Sequence, residues 1–116
     1  MANRVVWDDV VNGNFVGGDI ESHEGGDIYR GPIEKIERVS GSIVFSSEWM
    51  AKSSDMGASW ENWHITQMSV SEKEMTPSDI GDGRISFGGG FIGLTVLFPK
   101  GGSKLDPSKV KGLKKE

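Results

Sequence analysis

Asp19, Glu21 and His23 stand two residues apart in the stretch GGDIESHEGGDI, residues 17–28, which repeats GGDI eight positions on. Side chains alternate along an extended strand, so all three would point one way, and an imidazole with two carboxylates could meet on a divalent cation. That is the reading of the chain as a metal-dependent enzyme. A hairpin competes with it: if the chain reverses at Gly25 and Gly26, Glu21 comes opposite Arg30 and the charges become cross-strand pairs. No established spacing of metal ligands is matched. The hairpin is the favoured reading, and neither a metal nor another cofactor is expected.

A second constellation is aromatic. Trp49, Trp60 and Trp63 fall within fifteen residues, among Glu48, Glu61, Asn62 and His64. An exposed indole beside carboxylates and an amide can hold a sugar ring, a peptide or an unstacked base on its flat face at low entropic cost. Trp60 and Trp63 have opposite parity on a regular strand, so one faces inward and the other outward. The candidate ligand-binding residues are therefore Trp49, Trp60, Asn62, Trp63 and His64. The plainer alternative places all three indoles in the core.

Other motifs fall short of chemistry. SDIGDGRI at 78–85 puts Ser78 and Ile80 where a calcium loop needs its first ligands, and Asp82-Gly83 reads better as a hairpin turn. FGGGFIG lacks the Lys-Ser/Thr of a phosphate-binding loop, with no helix following. His23 and His64 lie far apart and no motif sets a serine nucleophile beside either, so no catalytic residue is assigned. With no cysteine in the chain, disulfides, thiol catalysis and thiolate zinc sites drop out together.

The elements that must position these residues are short strands. Turn signals recur at NGN (12–14), HEGG (23–26), SGS (40–42), GDG (81–83) and GGG (88–90), leaving little room for helices. SIVFSSEWMA sets Ile43, Phe45 and Trp49 on one side and Val44 and Met50 on the other. WENWHITQMSV sets Trp63 and Ile65 against Trp60, His64, Met68 and Val70. FIGLTVLFP alternates Ile92, Leu94, Val96 and Phe98 and is the clearest core strand. Residues 32–39 carry Ile33, Ile36 and Val39 at helical steps, yet ERVSGSIVF reads as a hairpin, so a strand bulged near Pro32 is favoured over a short helix. LDPSKVKGL, with Asp106 as cap and Pro107 at the first position, is the other helix candidate. The expected fold is all-β, a small antiparallel barrel or compact sandwich of six to seven short strands, with at most a short C-terminal helix. Gly88, Gly89 and Gly90 would supply a sharp bend at a corner.

At 116 residues with 35% hydrophobic content, the chain can bury one modest core, so residues 1–99 form a single β domain. Residues 100–116 form a basic, partly flexible tail. The body carries 7 Lys+Arg and 15 Asp+Glu, a balance of −8, and the tail carries 6 Lys against Asp106 and Glu116, a balance of +4. An acidic body repels phosphate backbones, which leaves nucleic-acid binding to Lys100, Lys104, Lys109, Lys111, Lys114 and Lys115 and makes it a minor expectation. No window reaches membrane-spanning length, and MANRVVWDDV lacks a secretory pattern, so the expectation is a soluble, cytoplasmic protein. The leading functional expectation is a non-enzymatic module that engages another protein, a basic one suiting its charge, through the acidic surface and an exposed tryptophan. A carbohydrate-binding domain and the metal-dependent enzyme are the alternatives. An uncovered sheet edge would also allow a homo-oligomer.

Overall fold

Gly-bearing turns cut the chain into runs of β-branched and aromatic residues, and each run pairs its backbone with a neighbour. The computed structural model describes residues 5–89 and 92–113; the expected bend at Gly90 and the tail residues Lys114 and Lys115 lie outside them. A five-residue helix α1 (Trp7–Val11) precedes β1 (Asp19–Glu24), β2 (Asp27–Val39), β3 (Ser42–Ser47), β4 (Met50–Ser53), β5 (Trp60–Trp63) and β6 (Gln67–Ser71). Then follow β7 (Ser78–Gly81), β8 (Arg84–Gly89), β9 (Ile92–Leu97), a 3-10 turn (Pro107–Lys109) and β10 (Val110–Lys111). The fold is all-β, as expected.

The hairpins form where the turn chemistry puts them. Gly25 and Gly26 have φ of 55° and 93°, and Ser40 and Gly41 have φ of 48° and 83°. Two consecutive positive φ values match the right-handed twist of the flanking strands, which is why Gly-Gly and Ser-Gly reverse the chain there. Glu21 consequently stands opposite Arg30.

Three long strands form a folded meander. β3 and β4 together retrace β2, and β5 and β6 together retrace β3 and β4. All three are interrupted at one level: β2 bulges between Ile33 and Lys35, just past Pro32, while residues 48–49 and 64–66 separate the other two pairs. This crease divides the sheet. On one side β2, β3 and β6 pair; on the other runs the order β10-β5-β4-β2-β1-β9-β8-β7. The crease accounts for two of the ten strands that form among the described residues where six or seven were expected, since it splits two runs in half, and β10 in the C-terminal segment adds another.

Crossing the crease flips which side chains point inward. Met50, rather than Trp49, joins Ile43 and Phe45 in the core, and Trp63 packs against the same cluster as Met68 and Val70 instead of opposing them. Strand parity fails across an irregular segment because alternation holds only while the backbone stays extended.

The two sides of the curled sheet meet through Phe45 stacked on Phe87, centroids 5.8 Å apart. Helix α1 closes one end: Trp7 sets its ring edge-on to Phe87 at 5.1 Å and donates from Nε1 to the Met75 carbonyl at 2.9 Å. Five residues are too few to hold a helix alone, so packing makes it, and no periodicity in the sequence announced it. The C-terminal candidate gives only a 3-10 turn, with Asp106 accepting from the Ser108 amide at 2.9 Å.

The basic segment is laid down through Leu113. Residues 98–111 cross the outer face of the sheet, and Val110 adds β10 beside Trp60. Among the described residues no helix is long and apolar enough to cross a membrane.

Candidate functional site

β1 faces two ways. Outward go Asp19, Glu21 and His23, and the guanidinium of Arg30 lies between the two carboxylates: Nε donates to Asp19 at 2.8 Å and Nη1 to Glu21 at 2.9 Å. His23 Nε2 bonds the other Glu21 oxygen at 2.7 Å. The remaining Arg30 nitrogen donates to Ser103, the Phe98 ring lies 4.3 Å from the guanidinium carbon, and Asp19 accepts from the Leu105 amide at 2.8 Å. A guanidinium already bridges the two carboxylates, and no group of three metal-ligating side chains gathers among the described residues. These residues fasten the crossing segment to the sheet.

Inward, β1 presents Ile20, Ser22 and Glu24 to a half-open pocket of about 230 Å³ that sits in the crease. Its floor is Ile20, Phe45 and Met50, all nearly fully buried. Tyr29, Trp63 and Met68 form the walls, Ile65 is a lip 53% exposed, and Ser47, Thr66 and Gln67 add polar atoms. The pocket exists because of the interruption: where β4 and β5 stop pairing as β3 and β6 do, inward side chains from both halves diverge and leave space.

Trp63 is fixed before any ligand arrives. Tyr29 tilts against it at 5.7 Å, the His64 ring lies at 4.8 Å, and Lys52 Nζ sits 4.6 Å from its centroid while reaching Asp27 at 3.8 Å. A wall held in this way loses little freedom on binding. Ser22 shares a hydrogen bond with Thr95 at 3.2 Å while His23 turns to the opposite face, so these sequence neighbours form no serine–histidine pair.

Of the five residues singled out by sequence, the structure places Trp63 in this pocket, and the exposed His64 packs its ring against Trp63 without lining the pocket. Trp49 is half-buried in the interruption between β3 and β4, with its carbonyl against Gly31. Asn62 is exposed on the outer face beside Gly112. Trp60 lines a separate shallow cleft with Lys52, Ser54, Asp55, Ser59, Glu61 and Lys111. There Asp55 is held down to about 2, mainly by the Ser59 hydroxyl and then by that of Ser53.

Tyr29, Met68, Glu24 and Gln67 were missed. Their convergence depends on cross-strand register and on the crease, which no single run displays. The signal within reach was the HITQ segment, whose lack of alternation marks an interruption between two strands.

No family model, no curated protein and no solved structure matches this chain.

Proposed function

We propose that the chain is a binding module that grips another protein by one apolar side chain in the crease pocket, with Trp63 as the rigid wall and the acidic surface favouring a basic partner. The observation that carries this reading is the pocket itself. It is apolar at its floor, polar at its rim, and walled by an indole that three neighbours hold in place. Its size selects the occupant. About 230 Å³ lies below the roughly 300–1,000 Å³ of pockets that take whole drug-sized ligands, yet above the roughly 150 Å³ that holds a benzene ring. One large side chain fits that interval.

The test is a titration of the isotopically labelled protein with N-acetyl amino-acid amides of leucine, methionine, phenylalanine, lysine and glutamate, read by nuclear magnetic resonance. The apolar amides are expected to shift the Met50 and Met68 methyls and the Trp63 indole N–H, leaving the Met56 methyl and the Trp60 indole still. A panel that moves none of the pocket signals overturns the reading.

The carbohydrate-binding alternative rests on the Trp60 cleft, where a half-buried indole lies among serine hydroxyls and carboxylates. It expects a glycan panel to shift the Trp60 indole and leave Trp63 alone, the reverse of the pattern above.

A further inference from the structure

Sheet edges invite added strands, and folded proteins shield them with charge, shortness or irregularity. Two ends of the sheet here follow that rule. β7 carries Asp79 and an irregular register, and β10 has two residues, one of them Lys111. β6 does not follow it. Its five residues, QMSVS, hold no charge and no proline, pair in unbroken register with β3, and have no strand on their other side among the described residues.

The orientation of its backbone groups can be read from its ends. Ser47 N–H donates to the Thr66 carbonyl and Glu72 N–H to the Gly41 carbonyl. Because antiparallel pairing alternates, residues 66, 68, 70 and 72 turn their backbone groups to β3 while Gln67 and Ser69 turn theirs away. Both are exposed, and no described residue takes those groups. The edge closes at Ser71, whose carbonyl accepts from Met75. Its open end is the pocket, which Thr66, Gln67 and Met68 line.

Charge narrows the occupant. Among the described residues Glu24 is the one charged residue lining the pocket, it is exposed, and no described cation pairs with it. A second copy joined edge to edge about Ser69 would set Gln67 opposite Ser71, and its paired residues, QMSVS, include no cation to set at Glu24. We infer that the free edge of β6 takes an extended, cation-bearing segment of the partner protein as an added strand, with one inward side chain in the crease pocket and a neighbouring lysine or arginine at Glu24. This rests on the pocket reading above. Main-chain bonds to Gln67 and Ser69 would hold the segment, and side chains spaced two apart would fill the pocket and reach the carboxylate.

The experiment uses a capped hexapeptide in which threonine alternates with leucine and lysine, so that one face carries both. Its companions are a peptide with glutamate for lysine and a peptide N-methylated at the amides of the edge-facing residues. The parent is expected to shift Met68 and Trp63 and to slow amide hydrogen exchange at Gln67 and Ser69. The N-methylated peptide should bind about tenfold more weakly or worse, having lost its main-chain donors. The glutamate peptide should also bind more weakly than the parent, and Glu24→Gln should weaken the parent alone. If parent and N-methylated peptides bind alike and Gln67 and Ser69 stay unprotected, strand addition is wrong while the pocket reading survives. Strand addition is equally overturned if amino-acid amides enter the pocket and no peptide does. If light scattering shows a dimer whose Gln67 and Ser69 amides are protected without peptide, a second copy owns the edge and the inference falls. Failure of amides and peptides together takes both readings down.

Discussion

The two faces of β1 carry the same kinds of residue to opposite ends. Outward, Asp19, Glu21 and His23 are all engaged, Asp19 at 1% exposure, and the guanidinium that joins the carboxylates also reaches the segment crossing above. Inward, Glu24 lines a pocket without a described partner. Where every acceptor is satisfied a polar cluster is a fastening, and where acceptors beside an apolar hollow are left open it is a place for something else. The strip with the denser chemistry in the sequence is therefore the less promising site.

The contrast is broken most forcefully at Arg30. Arg30→Met strips the cation from Asp19 and leaves a carboxylate buried, which should cost about 3–5 kcal/mol in urea unfolding. Amides in 98–111 should lose protection from exchange while the pocket methyls keep their shifts. Adding Asp19→Asn to this variant should recover part of the loss, since the stranded charge disappears. A loss below about 1 kcal/mol would mean that the network fastens nothing.

Trp63→Ala comes next, at about 2 kcal/mol, because a half-buried indole packed on Tyr29 and the core gives up apolar contact. It should also abolish pocket binding. Trp60→Ala should leave pocket binding intact, which separates the two indoles. Glu24→Gln sharpens the comparison further. With no described partner to lose, stability should stay within about 0.5 kcal/mol of the parent in the same urea assay, although binding of the lysine peptide weakens. A large stability change would place Glu24 among the fastenings.

Much of this arrangement was legible in the sequence. Gly25-Gly26, Ser40-Gly41 and Asp82-Gly83 carry their conformation in their own chemistry, so three hairpins and the pairing of Glu21 with Arg30 followed from local rules. The bulge beside Pro32 was legible for the same reason. Helix α1 was not, because Trp7 and Val10 become helical only by burying themselves in the core, Trp7 against Phe87 and Met75. The pocket was half legible. Trp63 and His64 stood out by type, but Tyr29 meets Trp63 only through the register of β2, β4 and β5, and Met68 comes to the pocket from across the crease that reverses inward and outward. Parity counted straight through residues 48–49 and 64–66 sent Met50 to the wrong side.

A third polar cluster tests the same contrast at the smallest scale. Between β4 and β5, the Ser53 and Ser59 hydroxyls and the Ser59 amide donate to the Asp55 carboxylate, and the loop they close carries Met56 at its tip with φ of 61°. Every donor there favours the charged form, so Asp55 is lowered from 3.8 to about 2, the Ser59 hydroxyl being the largest cause. A carboxylate depressed on folding contributes stability that is whole above its unfolded value of 3.8 and is lost as pH falls through about 2. The loop should thus hold its shape at pH 4 and loosen only below about pH 2. The Ser59 amide resonance, followed from pH 6 to 1.5, should titrate with a midpoint near 2. Ser59→Ala, followed through the Gly57 amide instead, should move that midpoint up toward 3.8, because it removes the strongest donor while the backbone amide at 59 still bonds. A midpoint already at 3.8 in the parent would mean that these hydroxyls spend their time in water and that Met56 is carried on an open loop.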